Sequence, residues 1–261
     1  MPQAVIGKIK MNFEVKGSGE PIVLITGLGG DVSYWRGMVP LLSDKFKVIT
    51  LDNRGSGLTE CKNEPFDMEV LAEDVVKLLD HLSIPKAHIL GWSMGGNIAQ
   101  FIALNHPDRV ATLTMISSYM RRPSRSSYMM NVMVDSVRSG GDLEYLYIIM
   151  QALCMTEELY QKMEAKKNYT TWKVNSDLDQ FINQMAAVDG FDSRSWATKI
   201  NAPTLVIHGI RDIMVPKYMS EELAAEIKGS KLVVIEGYGH TIPPKEYVKV
   251  FLEHIGKHPI L

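Results

Sequence analysis

Three residue types that can cleave an acyl bond together occur in this chain in a meaningful order. They are a serine within Gly91-Trp92-Ser93-Met94-Gly95, then Asp212, then His240. A serine hydroxyl is a weak nucleophile until a base takes its proton. An imidazole serves as that base when a carboxylate holds its other nitrogen protonated. The Gly-x-Ser-x-Gly pattern is that of a nucleophile elbow, a tight strand-to-helix turn that lifts the serine above a sheet. Side chains two residues either side of the serine would collide as the chain doubles back, and glycine avoids this. Gly96 adds a further small residue where the helix must pass close to the strand. Chance can supply a pattern this short, so its weight depends on the elements that would carry Asp212 and His240 to the same place.

Those elements can be read from hydrophobic period. Residues 9–15 alternate, with Ile9, Met11, Phe13 and Val15 against Lys8, Lys10, Asn12, Glu14 and Lys16, which predicts a half-solvated strand in an antiparallel edge. Segments 22–25, 46–51, 87–90, 110–116, 204–207 and 232–235 are apolar without alternation, as expected of central parallel strands covered on both faces. Helical patterns lie between them. The cleanest joins Leu71, Val75, Leu78, Leu79 and Leu82, with Asp67 as N-cap and Ser83-Ile84-Pro85 as the stop. The expected fold class is therefore α/β, a mostly parallel central sheet of about eight strands with helices on both faces.

The alternation fails between Tyr119 and Trp196. Helical segments are expected there at 127–137, 143–154, from the N-cap Thr156 to Lys166 and Lys167, and at 177–188. The reading is a single domain over 1–261, with an all-helical cap at 120–196 inserted between core strands and lying over the sheet's C-terminal edge. Asp212 follows the strand 204–207 and His240 follows the strand 232–235. Both thus fall in loops at strand C-termini, the edge where Ser93 emerges and where open α/β sheets place ligands.

With these residues assembled, the chain resembles the α/β-hydrolase fold family over essentially its whole length. The resemblance rests on the elbow and on the order Ser93, Asp212, His240. It also rests on Thr26-Gly27-Leu28-Gly29-Gly30, on Asp52-Asn53-Arg54-Gly55-Ser56-Gly57, and on the approach Ile200 to Gly209. It implies acyl transfer with Ser93 as nucleophile, His240 as base and Asp212 as its orienting acid. It also implies an oxyanion hole made by the backbone N–H groups of Leu28 and Met94. This chemistry requires no cofactor and no metal. His208 is the rival histidine, but its place at the end of an apolar strand marks it as a core residue. The chain departs from the family at Thr26, where relatives usually carry histidine, which bears on the rigidity of the oxyanion loop. It also departs at Thr59, where serine is commoner, and at Glu246-Tyr247-Val248, where Glu-x-Pro is frequent.

The substrate must be read from the cap and from composition. A serine at position 93 argues against dehalogenase-like relatives that use a carboxylate nucleophile. Met129, Met133 and Tyr145, with Trp92 of the elbow, are the expected apolar substrate contacts, because methionine suits an adaptable pocket. This favours a carboxylesterase for small to medium apolar acyl groups. Arg121, Arg122 and Arg125 open the cap and support an alternative, a hydrolase or acyltransferase for an anionic substrate: an enol-lactone, a dienoate cleaved at a C–C bond, or an acyl-CoA thioester. A small-ligand receptor with a vestigial triad is the alternative from another class.

A formal net charge of -2 gives no case for nucleic acid or an acidic membrane surface as partner. No apolar run approaches a membrane span, and Met1 to Lys8 lacks a signal-peptide pattern. Cys61 and Cys154 are too few for a disulfide framework. A cytoplasmic protein is expected, monomeric or homodimeric.

Overall fold

The computed structural model describes residues 3–162 and 178–260. Its eight strands are β1 (Gln3–Ile6), β2 (Ile9–Lys16), β3 (Glu20–Ile25), β4 (Phe46–Leu51), β5 (Ala87–Trp92), β6 (Val110–Ile116), β7 (Thr204–Gly209) and β8 (Lys231–Ile235). They form one sheet in the order β1-β2-β4-β3-β5-β6-β7-β8. β1 and β2 pair antiparallel, as do β2 and β4, and every other pairing is parallel. β2 therefore lies in the antiparallel end of the sheet, as its alternation predicts. One polar position on it departs from that pattern. Asn12 is buried, and its Nδ2 donates to Asp52 at 2.7 Å.

The period of two along the central strands separates two cores. Val23, Ile25, Ile89 and Val206 point to one face. There they meet Leu71, Val75 and Leu79 of a helix at Met68–His81, and Ile98 and Ile102 of a helix at Met94–Asn105. Ile22, Leu24, Leu90, Leu205 and Ile207 point to the other face, toward Trp35, Met38, Tyr247, Phe251 and Ile255. In chain order the helices are α1 (Val39–Leu42), α2 (Met68–His81), α3 (Met94–Asn105), α4 (Ser124–Arg138), α5 (Leu143–Cys154), α6 (Glu157–Lys162), α7 (Leu178–Asp189), α8 (Lys217–Glu226) and α9 (Pro244–Ile255) among the described residues. Asp67 caps α2 by accepting the Val70 N–H at 2.9 Å, as its sequence position suggests.

α4 to α7 lie between β6 and β7 and carry a small core of their own, from Met130 and Val134 on α4, Leu146 and Tyr147 on α5, and Phe181 and Met185 on α7. Thr156 meets the N–H of Leu159 at 3.4 Å at the start of α6, but the expected extension to Lys166 and Lys167 lies outside the described residues. No helix of the described residues is long and apolar enough to cross a membrane.

The strand order has a consequence for ligands. β3 is followed by β4 on one side, while β5 returns to pair on the other, with Ile25 opposite Gly91. The loops leaving β3 and β5 therefore diverge around a crevice at the sheet's C-terminal edge, where open α/β sheets bind ligands.

Candidate active site

The turn at the end of β5 is built around a strained serine. Ser93 has φ 54° and ψ −118°, a region that costs a non-glycine residue about 1–3 kcal/mol and persists only when surrounding structure enforces it. Its N–H donates to the Ile116 carbonyl at 2.9 Å. Its own carbonyl accepts from Gly96 N–H at 2.9 Å and from Ser118 Oγ at 3.0 Å. A Cβ at Gly91 would run into the Gly95 carbonyl, and one at Gly95 into the carbonyl of Ile25. Both glycines are thus required by the crossing of strand and helix. Met94 is the first residue of α3, so its N–H has no intrahelical acceptor and lies at the positive end of the helix dipole.

The histidine and the aspartate arrive on the neighbouring loops. His240 Nε2 is 2.9 Å from Ser93 Oγ, and Nδ1 is 2.7 Å from Asp212 Oδ2. The other oxygen of Asp212 accepts the N–H groups of Met214 and Val215, each at 2.8 Å. A carboxylate so engaged only accepts, which puts the imidazole proton on Nδ1 and leaves Nε2 to accept from the serine hydroxyl. The main chain of His240 is held as well. Its carbonyl accepts from Trp92 Nε1 at 3.0 Å and from Ser117 Oγ at 2.9 Å. Asp212 and His240 are 8% and 4% exposed, so the relay is screened from water except at Ser93. His208 is fully buried, bonds Ser220 Oγ through Nδ1 at 2.8 Å, and is held below the ordinary imidazole range by desolvation. It is a core residue, as expected.

Ser93 opens onto a cavity of about 60 Å³ lined by Leu28, Met94, Tyr119, Met130, Val188 and Met214, with Arg122 among them. A second cavity of about 200 Å³ shares Leu28, Trp92, Met150 and Cys154 with the first and extends past Tyr34, Gln151 and Thr241. Trp92 stacks on Tyr34, with ring centroids 4.2 Å apart. Burial first, then the Asp212 charge, pushes the Cys154 thiol well above its ordinary range, which keeps it in the unreactive thiol form.

A sequence profile of the alpha/beta hydrolase fold family matches residues 20–247. The chain belongs to the alpha/beta hydrolase fold family. Among its relatives, RutD of Azorhizobium caulinodans, named as a carbamate hydrolase, is 26% identical over 270 residues, spanning 98% of this chain and 99% of RutD. The enol-lactonase of Burkholderia xenovorans LB400 superposes with a TM-score of 0.88 at 27% identity, covering 98% of this chain and 99% of that one. A thermophilic esterase from Thermogutta terrifontis, solved with malate bound, gives a TM-score of 0.83 at 27% identity, covering 97% and 94%.

Within this hydrolase, the expected substrate contacts divide. Trp92 and Arg122 line the cavity at Ser93. Met129 and Met133 do not; they sit partly buried against the core of the inserted helices, and the inward face of α4 is Ser126, Met130 and Val134. The one-residue offset between these faces could not be read from a helix apolar on several sides. Tyr145 is 60% exposed, away from the cavity. Two of the three arginines are also elsewhere. Arg121 pairs through its backbone with Asp192, and Arg125 donates to the Ile213 carbonyl at 2.5 Å. Arg122 is buried, with Nη1 2.6 Å from Asp189 Oδ1.

The scaffold loops are tied as follows. Thr26 Oγ1 donates to the Gly30 carbonyl at 3.2 Å, and Ser56 Oγ donates to the same carbonyl at 2.9 Å. Arg54 holds Asp74 through two bonds of 2.9 and 2.8 Å. Asp31 accepts the Ser33 N–H at 2.8 Å and caps a turn.

Proposed function

We propose that this hydrolase is a carboxylesterase that cleaves esters of small to medium apolar acyl groups through an acyl-enzyme intermediate. The observation that carries the reading is the continuous hydrogen-bond chain Ser93–His240–Asp212 opening onto an apolar cavity. Ser93 Oγ attacks the ester carbonyl while His240 Nε2 takes its proton, and Asp212 stabilises the imidazolium so formed. The negative charge that develops on the carbonyl oxygen is met by the N–H groups of Leu28 and Met94, and losing one such donor typically costs about 10²–10³ in rate. As the tetrahedral species collapses, the alkoxide leaves with the proton from His240. Water then attacks the acyl-serine by the same steps in reverse and releases the acid.

The cavities support a division of the substrate. The smaller one, walled by Met130, Val188 and Met214, suits a short acyl chain, and the larger one beyond Trp92 and Tyr34 suits the alcohol. A second reading, a cyclic ester or a carbamate, is favoured by the names of the enol-lactonase and RutD, since both linkages yield to the same nucleophile. Recognition of an anionic group on any of these substrates is not favoured, because Arg122 is already paired with Asp189.

Steady hydrolysis of p-nitrophenyl acetate, butyrate and octanoate tests the reading, with a lactone and a carbamate as competitors. A single burst without turnover would favour a receptor. Ser93→Ala should lower kcat by about 10⁴-fold or more, and a variant keeping most of its activity would sink the assignment.

A further inference from the structure

Gln184 is fully buried on the inward stripe of α7, among Phe181, Met185 and Val188. Among the described residues its amide has two partners, and each belongs to a different loop of the sheet edge. Oε1 accepts the Gly29 N–H at 2.9 Å, and Nε2 donates to the Arg54 carbonyl at 2.7 Å. We infer that Gln184 is a positioning residue that holds the Gly27–Gly30 turn, and with it the Leu28 N–H, in the orientation needed to receive a developing oxyanion. The kinetic consequence rests on the esterase reading, while the clamp itself is a statement about the turn.

The geometry of the turn shows why an external clamp matters. Gly30 N–H donates to the Gly27 carbonyl at 3.1 Å, and Gly29 has φ +68°, the arrangement of a type II turn with glycine at its third position. In a trans peptide the Leu28 N–H points opposite to the Gly27 carbonyl. The bond that closes the turn therefore aims this N–H away from the turn's interior. Thr26 and Ser56 hold the Gly30 end through its carbonyl, and Asn53 Nδ2 donates to the Thr26 carbonyl before the turn at 3.2 Å, which leaves the central peptide to another partner. The central peptide, between Leu28 and Gly29, is the one that differs between turn types I and II. Gln184 takes hold of that peptide. A Cβ on Gly29 would lie 3.0 Å from Tyr147 and 3.2 Å from Phe181, so side chains of α5 and α7 close over the same residue. The Arg54 end is itself anchored by the two bonds to Asp74.

Gln184→Met keeps the length of the side chain and removes the amide, while Gln184→Glu keeps an acceptor for the Gly29 N–H. With p-nitrophenyl butyrate, Gln184→Met should lower kcat about 10–100-fold with KM within about threefold, part of what a lost oxyanion donor costs. Gln184→Glu should recover part of that loss, because it keeps the acceptor for the Gly29 N–H but loses the donor to the Arg54 carbonyl. Amide hydrogen exchange across residues 26–31, read by mass spectrometry, should speed up in Gln184→Met and much less in Gln184→Glu. Unchanged kcat, or a rise in KM alone, or unchanged exchange in Gln184→Met would overturn the inference. If the wild-type protein hydrolyses no ester, the esterase reading fails and exchange alone decides the clamp. If Gln184→Met does not fold, the decision falls to Gln184→Glu, where exchange as fast in 26–31 as in the unfolded chain overturns the inference and retained protection supports it.

Discussion

Among the described residues Arg122 is the one charged side chain on the wall of the Ser93 cavity, and its pairing with Asp189 makes a prediction about selectivity. Its side chain is 6% exposed and that of Asp189 33% exposed, with Nη1 2.6 Å from Oδ1, and Ser127 Oγ donates to the same oxygen at 2.8 Å. A substrate carboxylate entering the cavity must compete with Asp189 for the guanidinium and bear the repulsion of a second negative charge. Asp189→Asn removes that charge while keeping a neutral oxygen for Arg122. A charge-assisted hydrogen bond contributes about 1.5–3 kcal/mol, so the ratio of kcat/KM for mono-p-nitrophenyl succinate over p-nitrophenyl butyrate should rise roughly 10–100-fold.

Stability should fall at the same time. Breaking a fully buried pair costs about 3–5 kcal/mol, and the partial exposure of Asp189 reduces this to about 1–3 kcal/mol. The assays are steady-state kinetics on the two esters and urea unfolding of both proteins. The reasoning is refuted if Arg122→Met in the wild-type background selectively lowers succinate ester hydrolysis, because the guanidinium would then already be serving anions. It is refuted equally if Asp189→Asn leaves the ratio unchanged.

Two further outcomes follow from the same packing. Met130→Ala should enlarge the cavity beside Ser93 and move the preferred p-nitrophenyl ester toward octanoate, whereas Met129→Ala should leave the preference where it was, because of these two Met130 lines the wall and Met129 does not; equal shifts in both would refute the orientation of α4. Desolvation holds His88, His208 and His254 below the ordinary imidazole value, so each binds its proton more readily in the unfolded chain. Stability is then full above about pH 6.5 and is lost as pH falls below it, by up to about 1.4 kcal/mol per pH unit for each histidine. Burial raises Asp52 and Asp74, which acts in the opposite sense at lower pH, as those carboxyls take up protons in the folded state first. The urea midpoint measured from pH 8 to pH 5 should therefore decline, and a flat profile would mean that the histidines titrate alike in the folded and unfolded chain, which refutes their desolvation.

What the sequence made legible, and what it did not, divides along a physical line. Ser93, Asp212 and His240 could be placed together because each sits at the end of a strand whose apolar run is unmistakable, and parallel strands bring their C-termini to one edge. The cavity wall on α4 could not, because Met129, Met130, Met133 and Val134 give α4 apolar residues on adjoining faces, and packing against α5, α7 and Met214 decides which face turns inward. The three arginines are alike in sequence, and the buried one is chosen by Asp189, 67 residues away. Asn12 and Gln184 make the same point from the opposite direction. A polar residue on an alternating strand reads as solvated, yet Asn12 is buried against Asp52. Gln184 interrupts the apolar stripe of Phe181, Met185 and Val188, and that interruption was the available signal. A buried amide has to find partners, because leaving it unpaired costs about 1–3 kcal/mol. The useful question about a polar residue in an apolar stripe is therefore which main-chain groups lack an acceptor nearby. Here they belong to the glycine turn beside Ser93, so the residue least like its neighbours on α7 is the one that joins the inserted helices to the chemistry.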